Sequence, residues 1–122
     1  MDKNISKEKS LAFAIRVVNL YKYLKDTKNE NVLSKQLLRS GTSIGANLAE
    51  SEYSISTDEF TAKVYISLKE CAETIYWLKL LWNTNYITEA QYNSILNDCE
   101  ELRKILSSIT KTMKDKKTKQ YS

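Results

Sequence analysis

Apolar side chains recur along this chain at three- and four-residue intervals in four separate stretches, the spacing that gathers them on one side of an α-helix. The first stretch, about 6–26, carries two stripes side by side. One is Leu11, Ala14, Ile15, Val18 and Tyr21; the other is Phe13, Val17, Leu20 and Leu24. Lys9, Arg16, Asn19, Lys22 and Asp26 fill the remaining polar strip. So wide an apolar face implies more than one packing partner.

A polar stretch, Thr27 to Asn31, separates this segment from a second helix expected over about 33–53, with Leu37, Ile44 and Leu48 turned to a core. Gly41, Gly45 and Ala49 recur there every four positions. Glycine inside a helix costs roughly 1 kcal/mol relative to alanine, so two of them imply close approach of a neighbouring backbone.

The third helix, about 57–83, has a clear start. Ser56-Thr57-Asp58-Glu59 is a capping box, in which a hydroxyl and a carboxylate three residues apart satisfy the free N–H groups of the first turn. Ile55 and Phe60 are placed as its hydrophobic staple, and Phe60, Val64, Cys71, Ile75, Leu78 and Trp82 form the inward seam. After a break at Asn83-Thr84-Asn85 comes a second capping box, Thr88-Glu89-Ala90-Gln91, stapled by Ile87 and Tyr92. The fourth helix, about 89–113, follows with Tyr92, Ile95, Leu96, Cys99, Leu102, Leu106, Ile109 and Met113 in heptad order. Residues 114–122 are expected as a basic tail.

Four helices, each roughly 30 to 40 Å long at about 1.5 Å per residue, joined by short loops, predict an all-α, antiparallel up-down-up-down four-helix bundle. One domain, residues 1–113, accounts for it. The absence of proline and the presence of only two glycines agree, because sheets with tight turns need both. The first residues lack the apolar centre of a signal peptide, and charges interrupt every hydrophobic run short of membrane-spanning length, so the cytoplasm is the expected location. Cys71 and Cys99 are too few for a disulfide framework and read as small buried hydrophobes; counted back from the Asn85 turn they fall at about the same height on adjacent helices.

The chain has no histidine, the commonest metal ligand and general base, which removes the Glu-x-x-His set of a di-metal bundle although Glu70 and Glu73 have its spacing. Ser40 to Gly45 lacks the Gly-Lys-Ser/Thr ending of a phosphate loop. No enzyme activity, cofactor or metal is expected. A polar face on the second helix, Gln36, Ser40, Ser43, Asn47, Glu50 and Ser54, admits three readings. It is a solvated face, or a network burying Asn47 and Glu50 against Lys69, Glu70 or Glu73, or a ligand or nucleic-acid contact.

Charge is segregated. Five lysines and one aspartate follow Thr110, and residues 1–28 carry seven basic and three acidic side chains, leaving the rest net acidic. The predicted topology brings Lys3, Lys7 and Lys9 to the pole occupied by Lys111, Lys114, Lys116, Lys117 and Lys119. Such a pole suits phosphate contacts, which need clustered cations and little geometry, and equally suits a solubilising end. Tyr65, Tyr76, Trp77 and Trp82 on the third helix read as core or interface residues.

Leu38-Arg39-Ser40-Gly41-Thr42-Ser43-Ile44-Gly45-Ala46-Asn47-Leu48-Ala49-Glu50, with Asp58-Glu59-Phe60, Lys69-Glu70 and Glu73 to Leu78, resembles the bacterial four-helix-bundle proteins encoded in intervening sequences of 23S ribosomal RNA genes, a ribosomal-protein-like family. The likeness runs from about Phe13 to Met113. It implies an up-down bundle that assembles as a homopentamer, and kinship with accessory proteins of diversity-generating retroelements, which bind nucleic acid through a basic surface. On this chain Arg16, Lys22, Lys35, Arg39 and the tail lysines are the equivalents of that surface. It also marks Ser43, Asn47, Glu50, Lys69, Glu70 and Glu73 as the family's polar cluster. The expected function is a non-enzymatic, self-associating interaction module that binds RNA or DNA through its basic surface; a protein-only scaffold is the alternative.

Overall fold

The structure, a computed structural model, describes residues 3–121, with side chains placed for residues 5–119. The side chains of Lys3 and Tyr121, and the whole of Met1, Asp2 and Ser122, lie outside that description. Four helices follow one another: α1 (Lys3–Asp26), α2 (Leu33–Ser51), α3 (Thr57–Asn83) and α4 (Glu89–Tyr121). Consecutive helices pack side by side and α1 also touches α4, so the four close into a bundle in which α1 and α3 stand on one diagonal.

Both capping boxes form. Glu59 donates its N–H to the Ser56 hydroxyl at 3.0 Å, and Gln91 donates its N–H to Thr88 at 3.1 Å while its own side chain accepts from the Thr88 N–H. The staples differ: Ile87 and Tyr92 are buried, whereas Ile55 is 92% exposed and does not clamp the start of α3. The C-terminus of α3 closes with Asn85 in the left-handed region, its N–H donated to the Trp82 carbonyl and that of Tyr86 to the Leu81 carbonyl, which satisfies two of the last carbonyls.

The cap of α2 is one that local pattern does not announce. Glu30, buried in the preceding turn, accepts the N–H groups of Val32, Leu33 and Ser34 at 3.1, 3.0 and 2.7 Å. Burial alone would raise its carboxyl, but three donors at a helix N-terminus outweigh that and hold it below the ordinary value.

Three boundaries depart from expectation, the first being that of α1, which begins at Lys3 instead of about 6. α2 stops at Ser51 instead of 53, because Tyr53 donates its N–H to Glu50 in a tighter turn that drops the chain toward Ser56. α4 does not stop at 113; it runs on to Tyr121, since nothing after Glu89 is proline or glycine and Lys117 is tied to Asp58 in the first turn of α3. The segment expected as a tail is helical as far as it is described.

The core is Phe13, Val17 and Leu24 from α1, Leu37, Ile44 and Leu48 from α2, Val64, Cys71, Leu78 and Leu81 from α3, and Tyr92 to Leu106 from α4 at heptad spacing. Trp82 stacks on Tyr92 with ring centroids 4.6 Å apart, joining α3 to α4. Gly41 earns its place: a Cβ there would lie 2.8 Å from both methyl groups of Val17, a stiff β-branched side chain. A Cβ on Gly45 would come within 3.2 Å of the Ser10 hydroxyl. These two positions let α1 lie close against α2.

Small hydroxyls make up much of the remaining interior. Ser67 donates to the Ile44 carbonyl at 2.9 Å and Thr74 meets the Ser40 hydroxyl at 2.9 Å, which fixes the register of α2 against α3. Ser34, Ser40 and Ser51 also return a bond to a carbonyl of the preceding turn, so their burial leaves no unsatisfied donor.

Candidate functional site

The packing of α1 decides which of its two apolar stripes is inner. Phe13, Val17 and Leu24 are sealed in the core, while Leu11 and Ile15 are 64% and 55% exposed. The outer stripe borders a groove of about 490 Å³ between α1 and α2, walled by Leu11 and Ala14 and floored by Gly45, Ala46 and Ala49, with Lys7 and Glu8 at its edge. The family-like run of small residues thus does two jobs: Gly41 and Gly45 admit α1, and the outward Ala46 and Ala49 leave an apolar hollow. On the opposite corner, α3 exposes Tyr65 and Tyr76, 54% and 58%, together with Ile66.

The basic residues do not form one surface. Lys7 pairs with Glu52 at 2.9 Å, Lys9 with Glu101, Arg16 with Asp98 at 2.6 Å, and Lys117 with Asp58 at 3.3 Å. Arg39 is engaged on both arms, by Glu70 at 3.2 Å and by Glu73. Lys22 and Lys35 lie toward the α1–α2 turn, away from the end of α4 where Lys111, Lys114, Lys116, Lys117 and Lys119 gather. Among the described residues Lys111, Lys114 and Lys116 make no ion pair. With Lys117 they edge an open hollow of about 1040 Å³ against the first turns of α3, with Tyr65 on its wall.

The polar cluster resolves into separate short-range contacts. Ser43 donates to the Arg39 carbonyl and Asn47 to the Ser43 carbonyl, both within α2. Glu50 is exposed and pairs with Lys63 at 3.3 Å, so the reading that buries Asn47 and Glu50 against Lys69, Glu70 or Glu73 is not the one the chain adopts. Lys69 faces solvent. What does form is a fork across α2 and α3: Arg39 bridges Glu70 and Glu73, and Glu73 also accepts from the Trp77 indole at 3.0 Å. The Trp77 N–H, and after it Arg39, hold the Glu73 carboxyl below its ordinary value against the opposing effect of partial burial. The fork is half exposed, so its weight in stability is small, about 0–1 kcal/mol. Its carboxylates are already spoken for.

The cysteines meet as their heights predict. Both are free and buried, and the Cys99 thiol lies 3.7 Å from the Cys71 carbonyl. Hydrogen bonding with Cys71, reinforced by burial, pushes the Cys99 thiol far above its ordinary pKa, so it stays protonated and unreactive. No described helix is long and apolar enough to cross a membrane. Among the described residues no group of three or more acidic and thiol side chains converges as metal ligands would.

Sequence pattern indicated the apolar surplus of α1, but the outward set could not be told from the inward one, and the Glu30 cap and the Arg39 fork went unseen. A signal for the fork existed: Arg39 and the Glu70, Glu73, Trp77 series lie on facing stripes of two helices already paired by Ser40 and Thr74.

The model of the family described as 23S rRNA-intervening sequence protein matches residues 2–108. The fold is also that of a crystal structure from Bacteroides thetaiotaomicron, a protein of unknown function from the S23 ribosomal protein family. It is 56% identical, superposes with a TM-score of 0.89, and the match covers 91% of this chain and 99% of that one. No curated protein matches the chain. Small-residue helix, doubled capping boxes and four-helix closure therefore stand together with a match over most of the length, and the chain belongs to the 23S rRNA-intervening sequence protein family.

Proposed function

We propose that this protein is a non-enzymatic, self-associating interaction module of the cytoplasm, assembled as a homo-oligomer through apolar surface left outside the bundle. The observation that carries this reading is the outer stripe of α1, where Leu11 and Ile15 stand more than half exposed and Leu11 walls an apolar groove. A contiguous apolar patch of that kind on a small domain marks an association surface. The resemblance noted in the sequence adds the copy number, five. The non-enzymatic part is supported by the protonated, buried Cys99 and by carboxylates engaged with Arg39. The two free thiols suit a reducing compartment. Sedimentation equilibrium of the isolated chain tests the assembly: a mass several times that of the 14.1 kDa chain is expected, and a monomer at high concentration would refute it.

A second reading, RNA or DNA binding, rests on one specific observation. Lys111, Lys114 and Lys116 are held on a continuous helix with no described acidic partner, whereas Lys7, Lys9, Arg16 and Arg39 are neutralised in place. Kinship with the retroelement accessory proteins belongs to this same reading. Fluorescence titration of RNA and of duplex DNA across a salt series should give a log–log slope near −3 for duplex DNA, about one counterion for each of three lysines, and truncation after Thr110 should abolish it. Salt-insensitive or absent binding leaves a protein-only scaffold.

A further inference from the structure

We propose that copies of this chain join head to tail, with the outer ridge of α3, centred on Tyr65, Ile66 and Lys69, seated in the α1–α2 groove of the next copy. This rests on the oligomeric reading above and names the two faces that meet. The groove is apolar and floored by glycine and alanine, so it accepts bulky side chains without displacing any. The ridge supplies them: Tyr65, Ile66, Lys69 and Tyr76 follow at helical spacing on the side of α3 away from Val64, Cys71 and Leu78.

Groove and ridge sit on opposite corners of the bundle, since α1 and α3 are diagonal. A two-fold contact would set groove on groove or ridge on ridge; matching hollow to protrusion requires a heterologous contact. Height along the bundle says whether such a contact climbs. Gly45 faces Ser10 while its neighbour Ile44 accepts from Ser67, and Gly41 faces Val17 while its neighbour Ser40 meets Thr74. Ser10 is therefore level with Ser67, and Val17 with Thr74. Tyr65 and Ile66 then lie level with Glu8 and Lys9, within the span of the groove, so the ridge of one copy enters the next without a rise along the helices. Repetition without rise keeps successive copies side by side at one level along the helices.

Charge agrees. Glu8 edges the groove and Lys69 stands on the ridge, and among the described residues neither makes an ion pair. Helical side chains lean toward the N-terminus of their helix, which carries the Lys69 ammonium toward the level of Tyr65 and hence of Glu8 on the neighbouring copy.

The test uses one variant blocked on each face: Ala46→Arg in the groove and Tyr65→Arg on the ridge, both exposed positions whose replacement spares the core. In sedimentation velocity each variant alone should run as a monomer, while an equal mixture should give a one-to-one dimer and nothing larger, because each copy keeps one intact face. Separately, Glu8→Lys and Lys69→Glu should each weaken assembly at least about tenfold, and the double exchange should recover most of the loss. A mixture that remains monomeric, or single variants that assemble like the wild type, overturns the head-to-tail contact while leaving self-association standing. Failure of the charge exchange to recover affinity also counts against it. A monomeric wild type overturns the oligomeric reading and this inference together.

Discussion

One helix carries two apolar stripes with opposite fates. Phe13, Val17 and Leu24 disappear into the core, with Val17 pressed against the bare backbone of Gly41, whereas Leu11 and Ile15, drawn from the same class of residues a turn away, look outward. The difference does not lie in α1. It lies in what faces it: α2 offers glycine on one line and alanine on the next, so one stripe is received at close range and the other is left beside a hollow. Stability is stored on the inner side, the proposed self-association draws on the outer side, and the two should respond independently to substitution.

The largest effect should come from removing the heaviest inner side chain. Phe13→Ala is expected to lower unfolding free energy by about 3–5 kcal/mol, the range for emptying a buried aromatic site, read as a shift in the urea midpoint. A variant that lost little would mean the inner stripe is not the core. Gly41→Ala comes next. Helix propensity favours it by about 1 kcal/mol, but the added methyl would meet Val17 at 2.8 Å, and overpacking of this kind costs about 1–3 kcal/mol. A net loss is expected, and pairing it with Val17→Ala should reverse most of it; a plain gain in stability would show that α1 does not approach so closely. The outer stripe should give the smallest change in folding: Leu11→Ser with Ile15→Ser should stay within about 0.5 kcal/mol per site for the monomeric bundle.

Pattern in the sequence made most of the bundle legible, and the reasons are local. Capping boxes at Ser56 and Thr88 are self-contained, four-residue agreements between side chain and backbone, and both form. Heptad spacing in α4 is set by one continuous seam, and Tyr92, Ile95, Cys99, Leu102 and Leu106 are all buried. Glycine at 41 and 45 carried its own argument from cost. What could not be read depends on partners distant in sequence. Leu11 and Phe13 are equivalent until α2 is in place. Serines at 34, 40, 51 and 67 look like surface residues, yet each is buried because a short hydroxyl can bond a nearby carbonyl.

The candidate surfaces were legible by composition more than by arrangement. Lysines clustered near the C-terminus announced a basic end, but their support on a helix reaching Tyr121 was not foreseen, because Lys117 finds Asp58 across a long separation in sequence. Arg16, Arg39, Lys7 and Lys9 counted as free charge in the sequence; Arg16, Arg39 and Lys9 have carboxylates waiting on a neighbouring helix, and Lys7 has Glu52 just past the end of α2. The Asn47 and Glu50 pattern shared a face with Ser40, yet a single helix face slews from core to solvent over three turns, and only Ser40 is sealed in.

The outer stripe of α1 is the point on which the proposed function turns, and mass in solution addresses it. Sedimentation equilibrium of the wild type beside the Leu11→Ser, Ile15→Ser variant should show a multiple of the 14.1 kDa chain for the first and the single chain for the second, with equal helical content by circular dichroism. If both share one mass, whether large or small, the exposed side of this helix does not hold copies together.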